Sequence, residues 1–232
     1  MELFGCKAEK IAKSNDAQTV TEMYIEAYKK SKNEGCTPVI ITLNETLKQT
    51  IDDNCSMYDS PEKFTSQMLS ADTSDGRSIL DERYKQMQQV FEYSDDEDYD
   101  PSDLGDISSN QFTAWGVSAI IGNCENYILY VPTAKPWEVF AWLPFGGWNE
   151  CPDAHEMMSV CRCWYESFGA VPAFITSDML EFYIPSPVTN KEAAQELAKE
   201  HCLFCRDILD MGGVNCQAGS ILNSKVWSFW WD

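Results

Sequence analysis

Three carboxylates, Glu150, Asp178 and Asp207, lie inside otherwise aromatic stretches of this 232-residue chain, as do Asn149, Glu181 and Asp232. Paired carboxylates work as acid and base when burial separates their pKa values. That makes Glu150, Asp178 and Asp207 the catalytic candidates of a hydrolase reading. The same groups can cap helices, close turns and accept from indole N–H donors. For Glu150 and Asp207 that structural use is the stronger expectation. Trp148-Asn149, directly after Gly146-Gly147, is a candidate binding loop that would present an aromatic anchor on a rigid turn. Asp95, Asp96, Glu97 and Asp98 open an acidic run that continues to Asp103. Like charges and a proline there predict a solvated loop. Its functional use would be to dock a basic partner or to hold calcium loosely, although it lacks the glycine and distal glutamate of an EF-hand loop.

Thiol chemistry is the other possibility. Cys202 and Cys205 with His201, Cys161 with Cys163, and Cys151 could be assembled into a zinc site. The spacing is a weak match, and buried free thiols are the expectation, with no metal and no cofactor. A redox pair needs a helix N-terminus to lower its pKa, whereas Cys202 and Cys205 fall near a predicted helix end. A Cys–His nucleophile needs a base, and the two histidines, His155 and His201, lie in no motif that supplies one. No phosphate-cradling loop, nucleophile elbow or His-Glu-x-x-His run is present.

Charge narrows the partner. The formal net charge is −20, which repels nucleic acid and anionic membranes and suits a basic protein. Residues 1–110 hold 11 Lys+Arg and 23 Asp+Glu, a net of −12, and all eight tryptophans lie at or after Trp115. A polar, helical first half and an aromatic second half are therefore expected. Met1 to Gly5 carry no basic region followed by an apolar one, so a cytoplasmic location with reduced thiols is expected despite the ten cysteines.

The elements that must position these residues follow from periodicity. Val20, Met23, Tyr24, Ala27 and Tyr28 predict a helix over 16–34. Pro38 opens a β-branched strand, Val39-Ile40-Ile41-Thr42, and Asn44 and Ser60-Pro61 start short helices. Leu80, Tyr84, Met87 and Phe91 predict a helix over 77–92. From 111 alternation predicts a strand through Trp115, Val117, Ala119 and Ile121, a turn at Gly122-Asn123, a second strand at 127–131 and a third at 138–143. Asp153 with Glu156, and Thr189 with Glu192, read as capping boxes of two further helices, the first ending at Gly169 and the second running through His201. Val171 to Thr176 and Leu180 to Ile184 read as a hairpin, and a short helix near 216–223 leads to a last strand, 226–231. That tail holds Trp227, Trp230 and Trp231, whose rings demand an interior position.

Several ordered pieces together resemble a bacterial family of unknown function, family 4253. They are Pro136-Trp137-Glu138, the run from Pro144 to Pro152, Trp164-Tyr165-Glu166, Gly169-Ala170-Val171-Pro172, Asp178 with Leu180-Glu181-Phe182-Tyr183, Leu197-Ala198-Lys199-Glu200, Phe204 to Ile208, and Lys225 to Asp232. The resemblance is strong over 110–232 and weaker at Gly35 to Val39 and Leu80 to Tyr84. Cys151 and Cys205 belong to its pattern. Arg206 stands where the family usually has proline, and Asp210-Met211-Gly212 departs from its turn. The resemblance implies no activity, and implies for some members an association with bacterial toxin systems.

The expected architecture is α/β (α+β): a mixed, mostly antiparallel sheet built from 111–232 with helices packed on it, on which an N-terminal portion, 1–110, docks. Two functional readings stay open. One is an acidic binding protein, an immunity-type or regulatory partner of a basic protein such as a toxin. The other is a hydrolase that uses Glu150, Asp178 and Asp207.

Overall fold

The computed structural model describes residues 1–94, 107–116 and 124–232. Its strands are β1 (Glu2–Leu3), β2 (Cys6–Ile11), β3 (Thr37–Leu43), β4 (Glu125–Val131), β5 (Val171–Ile175), β6 (Met179–Tyr183) and β7 (Val226–Trp230). They form one mixed, mostly antiparallel sheet in the order β1-β2-β4-β3-β5-β6-β7. Only the β3–β5 pair among these is parallel. The sheet is therefore not confined to 111–232: β3 from the N-terminal portion lies inside it. Every residue of β3 is buried, as a continuous β-branched run covered on both faces requires.

Helices cover the two faces unequally. On one face α1 (Ala17–Ser31) sets Val20, Tyr24, Ala27 and Tyr28 against Ile40, Ile128, Ala173 and Tyr183, with Phe112 and Trp115 beside them. The other face carries α2 (Glu45–Cys55), α3 (Pro61–Ser70), α4 (Gly76–Ser94), the short α5 (Val139–Trp142), α6 (Ala154–Phe168), α7 (Lys191–Phe204) and α8 (Gly213–Ile221). Adjacent residues such as Ile40 and Ile41 thus enter different cores, as the two-residue period of a strand dictates. At the centre of the larger core the Trp164 ring stacks on Phe229 at 5.6 Å and meets Phe204 edge-on at 4.9 Å. Among the described residues no helix is long and apolar enough to cross a membrane.

Local chemistry explains the helix ends. Asn44, Ser60 and Asp153 each accept from a backbone N–H three residues on, and Gly169 closes α6 at φ +69°. The cap of α7 is Asn190 rather than Thr189, with Asn190 Oδ1 2.7 Å from Ala193 N. α7 continues past His201 to Phe204, and α8 opens at Gly213, ahead of the expected 216. Gly76 marks the crossing of α4 over α6, where a Cβ would lie 2.2 Å from the Ser159 carbonyl oxygen.

Two expected strands need correction. Residues 138–143 are helical: Pro136 opens a 3-10 turn, Pro136–Glu138, that runs into α5. The Glu138 carboxylate accepts from Thr133 Oγ1 at 2.5 Å, and Thr133 Oγ1 accepts from Lys135 N at 3.1 Å, which folds the chain into the turn. Val139, Phe140 and Ala141 are buried in succession, and so continuous a burial hides the period that separates helix from strand. Trp115 lies in a helical turn at 114–116, not in a strand. The rest of that expected strand, with Gly122-Asn123, falls in 117–123 outside the described residues.

The tail is a buried β-element. Trp227, Phe229 and Trp231 are each about 1% exposed, and Trp230 is half-buried. β7 pairs with β6 from Met179↔Trp230 to Tyr183↔Val226.

Candidate functional site

β6 runs antiparallel to both β5 and β7, and β5 runs parallel to β3, so the carboxyl ends of β3, β5 and β7 share one edge of the sheet. The carboxylates singled out by sequence are all found there, and each has a partner. Asp178 closes the β5–β6 turn: Oδ1 accepts from Thr176 Oγ1 at 2.9 Å and Ser177 Oγ at 3.3 Å, and Oδ2 accepts from the Trp230 indole N–H at 3.1 Å. Its backbone oxygen takes the Trp231 N–H at 3.0 Å. Asp207 Oδ2 accepts from Asp232 N at 3.3 Å, and Asn149 Nδ2 donates to Asp232 O at 2.6 Å. Glu150 pairs with Arg206 at 3.0 Å. Asn149 sits at φ +47°, a conformation that Asn tolerates and that Gly146 and Gly147 before it also adopt. Gly146 packs so closely that a Cβ would lie 2.0 Å from the Pro152 oxygen.

These contacts make the edge a fastening for the tail. Acid–base hydrolysis needs a free carboxylic acid and a carboxylate facing one substrate. Asp178 is committed to two hydroxyls and an indole, and Glu150 to a guanidinium on the exposed side of the turn. Trp148, the proposed anchor, is half-buried and turns edge-on to Phe145 at 5.0 Å, so its ring supports the turn.

Glu181 is the deeply buried carboxylate. It is fully enclosed and accepts from Thr113 N at 2.9 Å, Thr113 Oγ1 at 2.5 Å, Ala114 N at 3.2 Å and Ser228 Oγ at 2.5 Å. Burial drives its carboxyl upward from the ordinary range, and the donors oppose that shift. Its role is to bind residues 112–115 down onto the sheet.

The thiols and His201 do not form a reactive set. Burial pushes the thiols of Cys202 and Cys205 up to about 12 and raises those of Cys151 and Cys161 well above the usual range, so they stay protonated. Nucleophilic attack and thiol exchange both need thiolates. The Cys205 thiol instead donates to Trp230 O at 3.0 Å. His201 is fully buried among Trp164, Trp227 and Phe229, takes one hydrogen bond, Gln217 Nε2 to Nδ1 at 2.8 Å, and is driven down to about 3 by burial. Among the described residues no three His, Cys, Asp or Glu side chains gather as metal ligands.

The groove beside this edge was not marked by the motifs. About 450 Å³ lies between α4, the first turn of α6, the end of α7 and the turn that follows it. Ile79, Met87 and Leu203 line it with apolar surface, and Glu82, Glu150, Glu156, Arg83 and Arg206 surround that surface with charge. Arg83 is fastened there: it donates to Glu156 at 2.8 Å and to the Leu203 and Phe204 oxygens, which are the open carbonyls at the end of α7. The expected stripe Leu80, Tyr84, Met87 found the helix but placed its apolar face off-centre, because Tyr84 is 42% exposed. The acidic run containing Asp95, Asp96, Glu97 and Asp98 lies outside the described residues.

Residues 127–232 match the family described as Domain of unknown function (DUF4253), so the chain carries that domain from β4 to the tail. The match covers the whole tail fastening and the α6 and α7 walls of the groove, and leaves out α4. No curated protein and no solved structure matches the chain.

Proposed function

We propose that this chain, with its DUF4253 domain, is an acidic binding protein, an immunity-type or regulatory partner of a basic protein such as a toxin, and that it works in the cytoplasm. One observation carries the reading. The carboxylates suited to catalysis are engaged by the chain's own donors, while a groove of mixed polar and apolar lining is open among the described residues on a chain of net charge −20. A field of that sign speeds encounter with a cationic partner and disfavours anionic ones. Ile79, Met87 and Leu203 in that groove then supply the short-range part of the affinity. Retention of a partner from native lysate on the immobilised protein, at low and at high salt, tests this. The expected result is recovery of a basic protein at low salt and its release at high salt. Recovery of no basic protein at low salt defeats the proposal. The hydrolase reading fits less well, because Glu150, Asp178 and Asp207 share an edge without sharing a pocket.

A further inference from the structure

We propose that Arg206 is an internal stand-in for a cation of the partner, and that the groove between α4 and the Arg206–Leu209 turn receives a short basic segment carrying an aliphatic anchor. This inference rests on the basic-partner reading and adds the place, the chemistry of the ligand and a built-in competitor.

The two ion pairs that frame the groove differ in kind. Arg83–Glu156 is half-buried, with side-chain exposures of 23% and 35%, and Arg83 is further held by two backbone oxygens. Arg206–Glu150 is open to water, with exposures of 56% and 61%, and has a single contact at 3.0 Å. An exposed pair of that sort contributes little to stability. Another guanidinium can therefore displace Arg206 from Glu150 at small cost, whereas displacing Arg83 would break its contacts with Glu156, Leu203 and Phe204. On the α4 rim Glu82 is exposed and forms no ion pair among the described residues, which supplies a second seat for a cation. Between the seats lie Ile79, Met87 and Leu203. A volume of about 450 Å³ suits one or two aliphatic side chains, not a globular lobe. Met87 can adapt its unbranched thioether to such an anchor. An anionic ligand could in principle use Arg83 and Arg206, but it would have to approach against the charge of the whole chain.

The test uses the full chain and a labelled, amidated peptide in which leucine is flanked by arginines, with a second peptide in which serine replaces leucine. Binding is read by fluorescence anisotropy at low salt for the wild type and for R206Q, E150Q and K48Q. Lys48 pairs with Glu45 on α2, away from the groove, so K48Q makes the same change in net charge. R206Q should tighten the leucine peptide roughly fivefold by freeing Glu150, and K48Q should change it by less than about twofold. E150Q should weaken it severalfold, and the serine peptide should bind roughly tenfold more weakly than the leucine peptide to the wild type. Equal effects of R206Q and K48Q, or equal affinity for the two peptides, overturn the groove assignment and leave the basic-partner reading standing. Failure of both peptides to bind at low salt overturns both.

Discussion

The tail edge and the α4 groove lie side by side and use the same residue types in opposite ways. At the edge, Asp178, Asp207 and Asn149 are satisfied by the chain itself: an indole, backbone groups and neighbouring hydroxyls. In the groove, Glu150 and Glu82 face solvent, and among the described residues no side chain covers the surface between them. Of the polar residues embedded in aromatic motifs, Glu150 lines the groove, whereas Asp178, Asp207 and Asn149 are taken up by the fold. They are there because buried indoles and strand ends need partners. Most of the residues that line the groove sit on α4, a helix whose sequence is ordinary.

That contrast is most exposed to test by truncating one apolar side chain from each region. Trp231→Ala removes a ring about 1% exposed that packs on Phe145, Phe204 and Phe229. It should cost about 3–5 kcal/mol in urea unfolding. Met87→Ala, at the half-buried floor of the groove, should cost about 1 kcal/mol or less. Equal costs would mean that the tail is not an interior strand.

The two enclosed titratable groups sharpen the comparison through pH. His201 is held neutral, with its pKa lowered from 6.5 to about 3. Its contribution is complete above pH 6.5 and is lost as pH falls toward 3, an effect on the order of a few kcal/mol. Glu181 has its pKa raised above 4.5, so its contribution is complete below pH 4.5 and is lost as pH climbs through the raised value. The two slopes oppose each other above pH 4.5, over the range in which both groups titrate. His201→Asn should leave the falling Glu181 slope visible in that window, and Glu181→Gln should leave the rising His201 slope. A wild-type-like profile from both variants would show that neither group titrates on folding.

Much of the scaffold was legible because its causes are local. The β3 run, the caps at Asn44, Ser60 and Asp153 and the stop at Gly169 each follow from a few adjacent residues. The indole-rich tail announced its own burial. What stayed hidden depends on distant partners. Thr113 meets Glu181 across 68 residues, and Arg83 meets the end of α7 across 120. The parallel pairing of β3 with β5 draws the N-terminal portion into the sheet, and no periodicity in either strand records it. The groove was invisible for the same reason, because its walls come from four separate segments.

A smaller effect separates Asp178 from Glu150. Asp178→Ala leaves the Trp230 indole N–H and two hydroxyls without their acceptor, and should cost about 1–2 kcal/mol. Glu150→Gln breaks only an exposed pair, and should shift the urea midpoint by an amount equivalent to less than about 0.5 kcal/mol. If Glu150→Gln proved the costlier change, the division between a fastened edge and an open groove would be reversed.

Asn149 allows the finest test, because its backbone and its side chain make separate demands. At φ +47° any residue with a Cβ is strained, and Asn less than most. Its Nδ2 also reaches Asp232 O at 2.6 Å on the exposed surface. Asn149→Ala loses both advantages and should destabilise by about 1 kcal/mol. Asn149→Gly loses the hydrogen bond but relaxes the backbone, so it should fall within a few tenths of a kcal/mol of the wild type. Both variants lose the bond to Asp232, so the difference between them measures the strain of the turn. If the glycine variant were as damaging as the alanine one, the side-chain bond to Asp232 would hold the edge together and the strained turn would contribute nothing.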